Sequence, residues 1–408
     1  MTETQEVGKQ VAHHRKRLGL SQVEFAGLIG RSESWVSQVE RGVRSIDRLS
    51  VLQTVADALS VSVAELRGGT DVETPAIDER PEGFEDLRLA LTGHPAIFAV
   101  LGHDNHQYSE QDVQDLSERH GGVWEMVHGS RYTELAPTLA ELITDLELAV
   151  RLAGSEDLRR KSRELLADTY QAAAAMMAKL SENDAAWIAA DRAAYLAEML
   201  DWPLETAASL FRMAHVFLSL RQTSQAQKVA ADTAQALSRR IDGEPEVEAL
   251  SLYGAFHLVL AVALARDNER TQAYEHLETA RRTAQRIGED RNDFGTEFGP
   301  TNVAIHAVSI AAELGDAGHA LELSHEVDPS NLSAERQARF AIDIAYAHSM
   351  RRQIGEALRA LEKAENLTPE QTRMHRVARD VARDLIQLSG SRPRPELRDL
   401  AERFGVLP

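Results

Sequence analysis

Apolar positions recur at three- and four-residue spacing along almost the whole chain, and no segment shows the strict alternation of a half-buried strand. In the first 68 residues the stripes are short and glycine punctuates them closely. Val7, Val11 and His14 share one face of a helix that Gly19 ends. Ser21 caps a second helix and Glu24, three residues on, completes a capping box. That helix carries Val23, Phe25, Ala26, Leu28 and Ile29 and stops at Gly30. Ser32 caps a third helix, with Val36 and Val39 turned inward, and Gly42 closes it. A fourth runs from about Asp47 to Leu59, with Leu49, Leu52, Val55, Ala56 and Leu59 apolar, and a short fifth spans Val63 to Leu66. The pattern predicts a compact five-helix domain over 1–68.

Residues 69–86 break the rhythm with seven acids, one Arg, two Pro and two Gly, the composition of a linker. From 87 to 408 helical stripes return, rich in alanine and broken at Gly154-Ser155, Trp202-Pro203, Gly243-Glu244-Pro245, Gly315-Asp316 and Pro329-Ser330. The expected fold class is therefore all-α, a five-helix domain followed by a long α-solenoid or irregular bundle. The recurring breaks prompt a search for repeats. With Ala345 at a first small position, Ala341, Ile344 and His348 fall on one helix, Ala357, Leu361 and Ala364 on the next, and Pro369 closes the unit. Leu210, Met213, Ala214 and Phe217 before Ala226 and Ala230 give a second register. Leu250 to Ala280, through Tyr253-Gly254, Ala273 and Leu277, gives a third with a longer first helix. The array resembles tetratricopeptide repeats with degenerate, lengthened units.

The run from Leu20 to Gly42, Leu-Ser-Gln-Val-Glu-Phe-Ala-Gly-Leu-Ile-Gly-Arg-Ser-Glu-Ser-Trp-Val-Ser-Gln-Val-Glu-Arg-Gly, resembles the helix-turn-helix of the lambda-repressor/Cro-like (XRE) family. Ala26 is small where two helices cross. Gly30 suits a left-handed turn at no Cβ cost, and Ser32 satisfies orphan N–H groups at the next helix start. The resemblance implies double-stranded DNA as partner and a reading helix whose outward face offers Glu33, Ser34, Trp35, Ser37 and Gln38. Ser and Gln bond base edges, Gln most specifically at adenine. Gln22 stands where family members bond a phosphate or buttress the reader. Arg31, Arg41 and Arg44 suit phosphate contacts. Arg15 and Glu40 are matched as a structural ion pair. Glu33 replaces a frequent Arg: it either repels phosphate or accepts from a cytosine amino group. Trp35 replaces a frequent Thr or Ser and either packs on a thymine methyl or sugar, or extends the core.

Charge first argues the other way. The chain has 408 residues and a formal net charge of −19, whereas DNA binders carry basic patches. Partitioned, residues 1–68 hold nine Lys/Arg against eight acids, a net of +1, which leaves −20 on the remaining 340. A single domain at +1 is weak, so a homodimer on a near-palindromic operator is expected.

A small reader fused to such an array is similar in layout to the peptide-pheromone receptors of Gram-positive bacteria. It is also similar to actinobacterial regulators of antibiotic production and development, which suit a composition of 39 Arg to 6 Lys. The resemblance implies an effector, peptide or small molecule, on the concave face. In the body, 291–306 is unusual, with two Gly, two Phe and a Pro amid polar groups. Thr301 or a neighbour is expected to cap the helix that follows. Phe298, Asn302 and His306 there, with Tyr253 and His257 one turn apart on the preceding unit, are candidate effector contacts. The same stretch reads equally as a loop of satisfied polar residues.

Other chemistry finds little footing. The chain has no cysteine, which removes disulfides, thiol nucleophiles and thiolate metal sites. His103-Asp104-Asn105-His106, near His94, has no third ligand placed by sequence and reads as a solvated loop, so no metal and no cofactor are expected. His14 occupies a usually apolar site and is expected to pack in the core. Phosphate loops and nucleophile elbows are missing, and the carboxylates are too evenly spread to select an acid–base pair, so an enzyme is not expected. The start, Met1-Thr2-Glu3-Thr4-Gln5-Glu6, has no apolar stretch of a signal peptide. The longest apolar run, Leu258 to Ala265, is eight residues against the roughly 18 or more of a membrane span. The expectation is a cytoplasmic regulator; the competing reading is a DNA-localised scaffold whose repeats bind a protein partner.

Overall fold

In the computed structural model, residues 3–46, 49–59, 61, 66, 80–93, 107–241, 245–390 and 393–407 are described. Among them the chain is helical, with no strand and only two isolated bridges, Tyr108–Ala153 and Arg291–Phe298. Four helices open it: α1 (Glu3–Arg17), α2 (Gln22–Leu28), α3 (Glu33–Glu40) and α4 (Leu49–Leu59). The expected fifth, Val63 to Leu66, lies outside the described residues but for Leu66, as does the loop with His94, His103 and His106.

The capping logic holds in detail. Ser21 Oγ accepts from Glu24 N while Glu24 accepts from Ser21 N, and Ser32 Oγ accepts from Trp35 N. Gly30 has φ +64° with open space around it. Val11, Phe25, Ala26, Val36, Val39, Leu52, Val55 and Leu59 form one core, which His14 joins fully buried. Val23 and Leu28 depart from the expected pattern, being about 60% exposed. A contact that the stripes do not reveal is Gly8. A Cβ there would lie 2.2 Å from the Val39 carbonyl, so glycine lets α1 cross α3 backbone to backbone.

The body starts at α5 (Phe84–Thr92), three residues before the expected boundary, and Phe84 is buried. It continues through α6 (Glu110–His120), α7 (Val123–His128), α8 (Tyr132–Leu152), α9 (Glu156–Lys179) and α10 (Asn183–Met199). Then follow the pairs α11 (Pro203–Ser219) with α12 (Thr223–Ser238), α13 (Val247–Arg266) with α14 (Arg270–Ile287), and α15 (Pro300–Glu313) with α16 (Ala317–Ser324). The chain ends with α17 (Ala334–Met350), α18 (Ile354–Leu367), α19 (Pro369–Met374), α20 (Arg376–Leu388) and α21 (Pro395–Arg403). From α7 onward each helix packs on its sequence neighbours, as in a solenoid. Ala341, Ala345, Ala357, Leu361 and Ala364 are buried between α17 and α18, where the repeat register sets them. α13 is long and apolar enough to cross a membrane by length and composition, but 72% of that stretch is buried inside the protein.

Between α7 and α18 one turn recurs seven times among the described residues. Its middle residue has positive φ: Ser130, Ser181, Asp201, Arg221, Asn268, Gly315 and Arg352. The next N–H then bonds back to the carbonyl five residues earlier, as in Trp202 to Ala197 and Gln353 to His348, which ends one helix and aims the next. Only one of the seven is glycine. A left-handed non-glycine residue costs about 1–3 kcal/mol, so tertiary packing imposes these turns.

The array closes on itself. Ser130 Oγ donates to Gln371 Oε1 at 2.5 Å, Thr133 N donates to Glu370 at 2.9 Å, and Gln371 Nε2 reaches Glu335 at 3.4 Å. The α7–α8 corner thus meets α19, some 240 residues later. The amino-terminal domain sits on this ring through α1. Gly19 abuts the Met350 carbonyl, and Lys9 Nζ donates to Asp267 O at 3.4 Å.

Asp201 tests the turn. A β-branched side chain is poorly accommodated at positive φ, so Asp201→Val is expected to lower stability by about 1–3 kcal/mol in urea denaturation, whereas Asp201→Gly is not. Equal loss in both variants would overturn the assignment.

Candidate functional site

Two regions concentrate chemistry. The first is the outward face of α3. Arg31, Ser32, Glu33, Ser34, Arg41 and Arg44 are exposed, and Trp35, Ser37 and Gln38 are half-buried. The Arg31 guanidinium lies over the Trp35 ring, 5.6 Å from its centroid, so Trp35 faces a cation at the rim while resting against the core. Arg41 Nε donates to Ser37 O, and the Gln38 carbonyl accepts from Val43 N and Arg44 N, which turns the chain after α3.

Beneath this face lies a three-residue brace. Arg15 Nε and Nη2 donate to the two Glu40 oxygens at 2.5 and 3.0 Å, Arg15 Nη1 donates to Leu20 O, and Gln22 Nε2 donates to Glu40 at 2.7 Å. The Glu40 side chain is only 7% exposed. Of the two roles the family likeness left open for Gln22, the one seen is the buttress. Ser32 likewise spends its oxygen on the helix cap.

The second region is a chamber of about 750 Å³ inside the ring, within the usual range for small-molecule sites. Its walls come from α1, α7, α9, α11, α13, α15, α17, α19 and α20. Among the lining residues are ten Lys or Arg and four Asp or Glu, a sharp inversion of the chain's overall acidity. The rest of the lining is partly apolar, with Trp124, Phe211, Leu258, Val259, Val262 and Ile310.

Only two of the five effector candidates reach it. Asn302 and His306 line the chamber. Asn302 Nδ2 donates to Glu297 O at 2.5 Å, its buried Oδ1 has no hydrogen-bond partner, and His306 Nδ1 donates to the Asn302 carbonyl at 2.8 Å. Phe298 is instead fully buried core. It fills the notch at Gly254, where a Cβ would come within 2.0 Å of its ring. Tyr253 and His257 are on the wrong side of α13. Ala255, Leu258, Val259 and Val262 face the chamber from that helix, while His257 Nδ1 is 2.9 Å from His276 Nδ1 on α14. The expected Thr301 cap is also replaced: the Asp290 carboxylate accepts from Thr301 N.

The residues that sequence reasoning missed are basic groups within apolar helices. Arg212 on α11 is 8% exposed. Its Nη2 donates to the Phe294 and Gly295 carbonyls at 2.6 and 3.1 Å, its Nε is buried without a hydrogen-bond partner, and it stacks over Trp124 at 5.1 Å. Burial, with Arg336 nearby, brings its pKa down to about 10. Lys179 and Arg336 share Glu335, at 3.3 and 3.9 Å. Burial pushes the Glu335 carboxyl upward, but Lys179 and Arg336 outweigh it and hold the group well below the usual carboxylate range. The sequence signal was there: Arg212 and His215 interrupt the apolar run Ala207–Leu218, as His306 interrupts α15.

The chamber also includes the amino-terminal domain. Arg17, at the end of α1, and Val61 line it. Arg17 pairs with Asp384 at 3.3 Å and Asp380 at 3.6 Å on α20. Burial drives the Asp384 carboxyl up to about 7 even beside Arg17.

Comparison with known proteins concerns mainly the first region. Residues 6–67 match the family described as a helix-turn-helix domain. The HTH-type transcriptional regulator SlrR of Bacillus subtilis (strain 168) is 33% identical over 85 residues, 21% of this chain and 54% of SlrR. The chain thus spans about half the length of that relative. The solved structure of Bacillus thuringiensis PlcR in complex with the peptide PapR7 and DNA aligns over 92% of this chain and 99% of PlcR, at 12% identity and a TM-score of 0.31. The amino-terminal segment is a helix-turn-helix domain of the XRE type, and the chain carries it on an all-α, repeat-like body.

Two outcomes follow. Removing one partner of a buried ion pair strands the other, at about 3–5 kcal/mol. Glu40→Ala is therefore expected to unfold the reader at lower denaturant than the body, read by separate circular dichroism transitions. Burial also lowers both His13 and His306 from 6.5 to about 4; Glu313 opposes this for His13, and Arg336 reinforces it for His306. Between those values the unfolded chain binds more protons. Stability is therefore full above pH 6.5 and lost as pH falls towards 4. His306→Gln is expected to reduce the acid loss by about 1–3 kcal/mol across that window; an unchanged pH profile would contradict it.

Proposed function

We propose that the chain is a ligand-responsive transcription regulator, with residues 1–68 reading DNA, the acidic stretch to about residue 83 as linker, and the remainder as sensor and dimerisation body. It acts in the cytoplasm as a homodimer on a near-palindromic operator, with half-sites about one helical turn apart. The domain match and the regulator SlrR support the DNA-binding half of this reading. Ser34, Ser37 and Gln38 stand as base readers, with Glu33 and Trp35 at the edge of the same surface. Arg31, Arg41 and Arg44 stand as phosphate contacts, and Gln22 and Ser32 as residues that hold the reading helix in place.

The observation that carries the sensing half is the shared wall. Arg17 belongs to the reader's first helix and also lines the chamber of the body. A ligand there bears on the seating of α1 against α20, and it shifts the reader only as far as it favours one seating over another. The enclosed, charged chamber supports a small molecule or short peptide as effector. The scaffold alternative would instead be favoured by a broad exposed apolar face.

The test is the split between specific and non-specific binding. A base contact by Gln38 contributes about 1–3 kcal/mol, so Gln38→Ala is expected to weaken a genomically selected operator roughly five- to hundredfold while leaving binding to unrelated duplex nearly unchanged. Equal loss on both duplexes would remove Gln38 as a base reader. Arg17→Gln is expected to leave operator binding insensitive to culture extract that shifts the parent protein; a full response in the variant would sever the coupling route.

A further inference from the structure

At its deepest part the chamber's lining carries more cations than acids. Lys179, Arg212 and Arg336 converge there, with the half-buried rings of His215 and His306 beside them. The acids near them are Asp168, Glu335 and Glu297, of which only Glu335 lines the chamber; Asp168 accepts from Trp124 Nε1 and lies 2.9 Å from His120 Nε2. Glu335 is shared by Lys179, Arg336 and the Gln371 amide. Glu297 accepts from Ser333 N and Ser333 Oγ at 2.9 and 2.8 Å and lies 3.4 Å from Arg336 Nε. Arg212 has no carboxylate within ion-pair distance among the described residues, only two backbone carbonyls and an unsatisfied Nε. A buried cation without a direct ion pair is costly, and this one is 8% exposed at the edge of the chamber. Beside it the α13 and α15 walls are apolar, through Val259, Val262 and Ile310.

We infer that the chamber binds an amphipathic organic anion, whose carboxylate or phosphate head completes the charge of Arg212, Arg336 and Lys179 while its apolar body lies along α13 and α15. The inference rests on reading the chamber as the effector site and supplies the effector's chemical class. The head replaces water at Arg212 with a charge-assisted contact, the strong kind in a low-dielectric site. His215 and His306, kept neutral by burial and by the neighbouring cations, leave the arginines and the lysine as the charge that selects an anion. The body's net acidity does not oppose this, since exposed charges more than about 8 Å away are largely screened at physiological salt.

The test uses the full chain and the fluorescent anion 1-anilinonaphthalene-8-sulfonate, with uncharged N-phenyl-1-naphthylamine as its neutral counterpart. The sulfonate is expected to bind at one site at least about tenfold more tightly than the neutral probe, since a charged hydrogen bond contributes at least that factor. Arg212→Gln is expected to lower its affinity about tenfold or more, Arg212→Lys to restore part of it, and Arg359→Gln, at an exposed site on α18, to change nothing. Arg212→Gln is also expected to melt no lower than the parent, because it removes an uncompensated buried cation. Competition by octanoate, octyl phosphate and a short apolar peptide with a free carboxy terminus identifies the head; the amidated peptide is expected not to compete. Equal binding of the two probes, or undiminished sulfonate binding in folded Arg212→Gln, would overturn the anion site and leave the effector reading standing. Arginine-dependent binding that does not move operator affinity would support the anion site and count instead against the regulatory reading.

Discussion

The ring closure at Gln371 is the contact on which the rest of the structure depends. Its amide joins Ser130 at the start of the array to Glu335 near the end, and Glu335 holds Lys179 and lies beside Arg336. Without that closure the body would be an open solenoid, and these side chains would face water as ordinary solvated charges. Closure removes them from water, which strengthens every interaction among them and makes each unpaired group expensive. The same junction thus builds the chamber and gives its charge an energetic consequence.

Closure also explains how the reader is carried. α1 is seated directly on the body: Gly19 lies against Met350, and Arg17 enters the ring wall. The Arg17–Asp384 contact is poorly matched. Desolvation raises the carboxyl to about 7 despite the adjacent guanidinium, so near neutral pH the pair is only partly charged on one side. A joint of that kind holds position without holding it strongly.

Much of this was legible in the sequence, and the reasons for the remainder are physical. The reader was legible because caps and turns act locally: Ser21 with Glu24, Gly30 and Ser32 fix short helices by contacts within four residues. The body's helices were legible by period, but four of their turns, at Ser181, Arg221, Asn268 and Arg352, carry no glycine or proline. Packing on both sides forces them, and packing leaves no mark at the turn itself. Asn302 and His306 were found because they lie in an irregular stretch. Tyr253 and His257 do not line the chamber, and the sequence does not reveal this because facing direction cannot be read on a helix such as α13, where nearly every position is buried; Phe298 is taken up by the Gly254 notch. Gly8 and Gly254 show the same limit, each shaped by a neighbour distant in sequence.

The chain's acidity is informative only once it is located. Residues beyond 68 carry −20, yet their deepest chamber is lined by ten cations and four acids. The acids lie mainly outside, on the solvated faces of the helices. Inside, low dielectric and short distances govern, and the local excess of positive charge acts undiluted by the exterior. An anionic ligand would therefore meet an unfavourable field on approach and a favourable one on arrival. Its capture would rest on desolvated contacts at Arg212 and Arg336 and not on steering, and its binding would depend less on salt than the reader's hold on DNA.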